Sequence, residues 1–135
     1  MRLPSLPKAR LIAHAHCDLP CGVYDPAQAH IEAESVKAIM EKYQSNDDPT
    51  FRARALVIKE QRAELVKHHL WVLWTDYFKP NHLEAHPGLH DLFWRATKQA
   101  GAAGGKGSVD PAEGQKLLDL IDEIAAIFWA TKKAA

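Results

Sequence analysis

The chain carries no net charge: seventeen Lys and Arg balance seventeen Asp and Glu over 135 residues. Binding to nucleic acid or an anionic membrane surface draws on a basic field, so neither partner is expected. Any pull on a small anion must come from individual lysines and arginines. Long apolar runs are missing as well. The longest candidate, Leu70-Trp71-Val72-Leu73-Trp74, gives way at once to Thr75 and Asp76, well short of the roughly 20 residues that span a bilayer. Cysteine is scarce: only Cys17 and Cys21 occur. A disulfide-stapled secreted fold would need more, spread along the chain, so a cytoplasmic location is expected. No segment alternates with period two, and a β-sheet is therefore not expected.

A hydrophobic fraction of 47% with 25% charged residues is that of an ordinary globular protein, and the length suits one core. The first fifteen residues stand apart. They carry Arg2, Lys8 and Arg10 and end Ala13-His14-Ala15, but Pro4, Ser5, Pro7, Lys8 and Arg10 break up the apolar stretch that a secretory signal requires. Residues 1–15 read as a removable leader, and residues 16–135 as the working domain, with a metal hook over 16–24 and helices over 25–135.

Past the cysteines the pattern is helical. Asp25-Pro26 and Asp48-Pro49 each place a capping Asp before a Pro at the first helical position. The first helix carries Val36, Ile39, Met40 and Tyr43. The second is long, with Phe51, Ala55, Ile58, Leu65 and Val72 assigned to one face, and stops before Pro80. Pro87 opens a third helix carrying Leu89, Leu92, Phe93 and Ala96. After a glycine-rich loop over 101–108, Asp110 and Glu113 form a capping box, and Leu117, Ile121, Ile124 and Phe128 make the last stripe. Four helices with short connections predict an all-α, antiparallel four-helix bundle, with the N-terminal hook docked outside it.

The chemistry concentrates in His16-Cys17-Asp18-Leu19-Pro20-Cys21-Gly22-Val23-Tyr24-Asp25-Pro26. A C-x-x-x-C pair beside a histidine reads as a metal hook or a local redox pair. If the bond before His16 is cut, His16 offers an α-amine and an imidazole, and Cys17 offers an amide nitrogen and a thiolate. The amine and amide close one five-membered chelate ring, and the amide and sulfur close a second. Cys21, returned by a Leu19-Pro20 turn, completes a plane of two nitrogens and two sulfurs, leaving the imidazole for an axial position. Such a plane suits nickel(II) or copper(II), whereas zinc prefers a tetrahedron.

This run resembles the nickel hook that begins mature nickel-containing superoxide dismutases. The resemblance continues through Ile31-Glu32-Ala33-Glu34-Ser35-Val36, through 58–65 (Ile-Lys-Glu-Gln-Arg-Ala-Glu-Leu), through Asp76-Tyr77-Phe78-Lys79-Pro80 and through Ile127-Phe128-Trp129. It implies a nickel ion held by His16, Cys17 and Cys21, and dismutation of superoxide to dioxygen and hydrogen peroxide through the Ni(III)/Ni(II) couple. It also implies a homohexamer and a protease that removes the leader. Glu32 and Arg62 are implied to form a relay that orients the His16 imidazole. Without that relay, Arg62 would be a charge on the stripe of Ile58 and Leu65, costly there unless paired or reaching past the core to solvent. Tyr24 is implied to gate small anions, with Tyr77 beside it. Asp18 is both a turn residue and a member of that pocket, and Lys79 is a candidate for attracting superoxide.

Other readings remain for the same residues: a nickel or copper carrier without turnover, or an inert helical scaffold whose cysteines form a disulfide. His82, His86 and His90 are spaced four apart, but Pro87 interrupts any shared helix. His68 and His69 are neighbours and cannot share a face. Surface or structural roles are expected for all five. The sequence contains no Glu-x-x-His motif of the di-iron bundles. The four tryptophans are expected in the core or in subunit contacts.

Because a peptide bond at Ala15-His16 consumes the amine, the chain starting at Met1 is expected to gain little dismutase activity on adding nickel. Trimming to His16 should restore it. Full activity in a chain whose measured mass still includes residues 1–15 would contradict the chelate.

Overall fold

Small side chains let the helices approach closely, and they set the architecture. The computed structural model describes residues 22–134. Its elements run α1 (Ala27–Gln44), α2 (Pro49–Val72), a π-helical turn (Leu73–Tyr77), the short α3 (Pro80–Ala85), α4 (Leu89–Ala100) and α5 (Pro111–Ala134). The four main helices form a ring in which α1 meets α2 and α5, and α4 meets α2 and α5. Among the described residues there are no strands. The all-α, four-helix expectation holds.

The helix starts follow from the Asp-Pro pairs. Asp25 Oδ1 accepts from the Ala27 backbone N–H at 2.8 Å, and Asp48 Oδ2 accepts from that of Phe51 at 2.8 Å. Each carboxylate takes one of the orphan donors of a first helical turn. At α5 only half of the expected capping box forms. Asp110 Oδ1 takes the Ala112 N–H, but the Asp110 N–H goes to Ser108 Oγ. Glu113 does not reach back, because Gln99 from α4 and Lys116 hold its carboxylate. Those two partners push its pKa below the usual carboxylate value.

The core joins Ala29 and Ala33 of α1, Val66 and Leu70 of α2, Leu89, Phe93 and Ala96 of α4, and Leu117, Ile121, Ile124 and Phe128 of α5. The stripe expected on α5 is therefore the observed one, and that of α4 also holds. The stripe expected on α2 does not. Its buried residues are Ala55, Lys59, Ala63, Val66 and Leu70, so of the five assigned, only Ala55 is buried. Ile58 is half-buried and Leu65 exposed. Apolar residues occur all around α2, and the face turned to the neighbours carries Ala55, Lys59, Ala63, Val66 and Leu70, while Leu56, Val57 and Leu65 stay exposed. Arg62 is accordingly not a charge on a buried stripe, which removes the anomaly.

Lys59 occupies a core position that periodicity alone would have filled with an apolar residue. It is 1% exposed, and its ammonium donates to the carbonyls of Gly105 and Lys106, both at 2.7 Å. Burial pushes its pKa down. The two carbonyls supply the hydrogen bonds that a buried cation requires and tie the glycine-rich loop to α2. The tryptophans depart from a core role: Trp71, Trp94 and Trp129 are all about half exposed, and Trp74 alone packs against the core cluster. The short α3 was not anticipated. Together with the π-helical turn it fills the interval between α2 and α4.

At Gly114, α5 approaches α1 closely. A Cβ there would lie 2.8 Å from Lys37 Cβ and 2.9 Å from Lys37 Cα. Gly114→Ala should gain up to about 1 kcal/mol of helix propensity, yet lose more, on the order of 1–3 kcal/mol, because the backbones must separate. Urea denaturation should therefore show a lower midpoint. A raised midpoint would mean that α1 and α5 can part without loss.

Candidate metal centre and its surroundings

Four of the expected site residues, His16, Cys17, Asp18 and Cys21, lie outside the described residues. The others are described, and they form two groups, Glu32 with Arg62 between α1 and α2 and Tyr24 with Tyr77 beside α5. Gly22, immediately after Cys21, has φ +86°, a left-handed conformation that side-chain-bearing residues rarely adopt. Its carbonyl accepts from Lys132 Nζ of α5 at 2.8 Å. The Lys132 ammonium also lies 5.3 Å from the Phe128 ring and 6.0 Å from that of Trp129. Gly22 is thus tied to the last turn of α5.

Glu32 and Arg62 come together as expected. One guanidinium nitrogen of Arg62 donates to both carboxylate oxygens of Glu32, at 3.1 and 3.3 Å. The carboxylate is largely shielded, with 14% of the side chain exposed, whereas the arginine is 44% exposed. Arg62 therefore pairs with Glu32 while the rest of its side chain remains open to solvent. α1 supplies the acid and α2 the base, so the pair depends on the packing of these helices. His69, two turns beyond Arg62, also feels the Glu32 charge. Burial first and His68 second push its pKa down, and Glu32 acts against them. The seven-residue spacing of Arg62 and His69 was the available signal for this, and sequence reasoning passed over it.

Tyr24 and Tyr77 meet edge to face with ring centroids 6.1 Å apart. Tyr77 comes from the π-helical turn, and its ring is held on several sides. Phe128 lies at 4.2 Å, Phe78 at 5.0 Å, and His82 stacks at 5.6 Å with an interplanar angle of 24°. The His82 imidazole accepts the Lys79 backbone N–H through Nδ1 at 3.2 Å, which requires that nitrogen to be unprotonated. Burial, then Lys79, then His86 lower its pKa in keeping. His90 sits on α4 against Trp74, so the three evenly spaced histidines do not share a face. Lys79 is exposed next to Tyr77 and Phe78.

Among the described residues, no three His, Cys, Asp or Glu side chains converge as a metal site. The described helices offer a paired carboxylate, two tyrosines and lysines, but no nest of ligands. Thr131 and Lys132 were missed in the sequence, where Thr-Lys-Lys at a helix end looks like ordinary surface. Also among the described residues, no helix is long and apolar enough to cross a membrane.

Comparison with known proteins bears on the same residues. A family model described as nickel-containing superoxide dismutase matches residues 11–132. The chain is 65% identical over 125 residues to the superoxide dismutase [Ni] of Streptomyces coelicolor, covering 93% of this chain and 94% of that protein. It is 68% identical over 120 residues to the superoxide dismutase [Ni] of Streptomyces seoulensis, covering 89% and 90%. The native structure of a nickel superoxide dismutase superposes with a TM-score of 0.83 at 66% identity, over 87% of this chain and 99% of that one. An apo structure of a nickel superoxide dismutase gives 0.80 at 64% identity, over 83% and 99%.

Proposed function

The chain belongs to the nickel-containing superoxide dismutases, and on that premise we propose that His16, Cys17 and Cys21 hold its nickel and that the bundle end completes the site. The activity of the family is the conversion of two superoxide ions and two protons to dioxygen and hydrogen peroxide. The single observation that carries the site assignment is the donor set of the hook: an amine, an amide nitrogen, two thiolates and an imidazole within six residues. Those nitrogen and sulfur donors would suit a d-block ion such as nickel. When bound, nickel supplies a one-electron couple, brought into a usable range by strongly donating thiolate and amide ligands.

The rest of the work falls to this chain's side chains. Glu32, shielded and paired with Arg62, is suited to accept from the His16 imidazole and fix its orientation, the kind of support that raises ligand basicity. Lys132 anchors the exit of the hook. Tyr24 and Tyr77 form a narrow aromatic edge that admits small anions and excludes larger ones, and Asp18 lines that approach. Lys79 lends local positive charge to a chain with no net field.

Three further proposals accompany this reading. Residues 1–15 form a leader that a protease removes. In support, the native solved relative is matched over 99% of its length by 87% of this chain. The working form is a homo-oligomer, a hexamer, and the half-exposed Trp71, Trp94 and Trp129 are available for its contacts. The location is cytoplasmic, in keeping with a hook that needs reduced thiols.

Cys17→Ser and Cys21→Ser should each abolish nickel-dependent turnover, since a hydroxyl cannot replace a thiolate as a donor. The helical circular-dichroism signal should persist, because the helices described begin only at Ala27. Normal turnover with bound nickel in either variant would remove that cysteine from the ligand set.

A further inference from the structure

The last turn of α5 holds a polar side chain with no part in the account so far. Thr131 is 7% exposed, one of two buried polar or charged residues among those described. Its hydroxyl lies 2.8 Å from the Phe128 carbonyl, three residues back, and 2.8 Å from Tyr77 Oη. A threonine hydroxyl has one proton to give and two lone pairs to receive. The Phe128 carbonyl can only accept. If the Thr131 proton goes there, as the geometry allows, the Tyr77 phenol must be the donor to Thr131. The Tyr77 oxygen lies 3.5 Å from the same carbonyl, too long for a good hydroxyl bond, so Thr131 is the better partner.

We propose that Thr131 is a positioning residue for Tyr77, taking its phenolic proton so that the Tyr77 oxygen meets the Tyr24 side only as an acceptor. The chain of bonds runs Tyr77 O–H to Thr131 Oγ1, and Thr131 O–H to the Phe128 carbonyl. It fixes a direction that ring packing alone cannot fix. Phe128, Phe78 and His82 hold the plane of the Tyr77 ring, but a phenolic hydrogen can still rotate about its C–O bond. With that hydrogen committed to α5, a water or hydroxyl between the tyrosines donates to Tyr77 and does not receive a proton from it. The protons consumed in dismutation then come from another group. This rests on the reading of Tyr77 as part of the anion approach, and it assigns that residue a polarity.

The test uses the chain trimmed to His16 and loaded with nickel, as Tyr77→Phe, Thr131→Val and Thr131→Ser. Nickel content and superoxide turnover across pH are measured for each. A second readout needs no metal: the ring-carbon NMR shifts of Tyr77 in metal-free protein carrying labelled tyrosine, which report hydrogen bonding of the phenol. Thr131→Val, close to isosteric, should alter the Tyr77 shift and move turnover and pH profile as Tyr77→Phe does, a loss on the order of 10-fold. Thr131→Ser should return both to the parent values. Equal losses for Val and Ser would overturn the proposal, since the methyl and not the hydroxyl would then matter. An unchanged Tyr77 shift in Thr131→Val would overturn it too. If Tyr77→Phe itself keeps the parent turnover and profile, the reading of Tyr77 fails first. Should Thr131→Val not fold, the parent still decides. A slowly exchanging Tyr77 hydroxyl proton with a through-space contact to Thr131 supports the proposal, and a freely exchanging one contradicts it.

Discussion

The close approach of α1 to its two neighbours is the constraint on which the site end of this molecule rests. Ala29 and Ala33 are buried to 1% and 0% exposure, and Ala63 of α2 packs with Val36 and Met40 of α1. On the other side, Gly114 lets α5 come near the Lys37 backbone. Larger residues at these points would push the helices apart by fractions of an ångström to an ångström. Packed interiors do not absorb such changes freely. The Glu32–Arg62 pair bridges the α1–α2 seam, directly beside Ala33 and Ala63. Its geometry is therefore a consequence of small side chains in the core, and a shift that is minor for the bundle would be large for a hydrogen bond.

A second line of dependence runs through α5. The Phe128 ring is fully buried and touches both the core and Tyr77, while its carbonyl receives the Thr131 hydroxyl. One turn on, Lys132 holds the Gly22 carbonyl. The same helix that closes the core thus packs against Tyr77 and holds the Gly22 carbonyl. Site groups built on rigid elements with locked rotamers hold position better than groups carried by loops alone.

Much of this was legible in the residues. The Asp-Pro starts and the α5 stripe each follow from a local rule. The partnership of Glu32 with Arg62 came only through the family resemblance, because no periodicity argument links positions thirty residues apart. What escaped is instructive. Lys59 and the alanine face of α2 escaped because burial there is decided by how closely neighbours approach, and a helix with aliphatic residues on every side does not announce which side that is. Thr131 escaped because its partner, Tyr77, is 54 residues away, and a lone threonine near a helix end carries no pattern. The expected capping box at Asp110 failed because Gln99 and Lys116 compete for Glu113, a tertiary contact that the local motif does not contain.

The central proposal is that Glu32 and Arg62 orient the imidazole of His16, one of the three residues that would hold the nickel. The most direct measurement is the paramagnetic signal of the oxidised nickel protein, taken with nickel content and turnover on the same samples of Glu32→Ala and Arg62→Ala. Nickel content should stay near the parent level, because neither residue is among those that would hold the metal. The nitrogen splitting from the imidazole should weaken, and turnover should fall by about 10- to 100-fold. Parent splitting and parent turnover in both variants would contradict the claim and leave the Glu32–Arg62 pair as a structural bridge between α1 and α2.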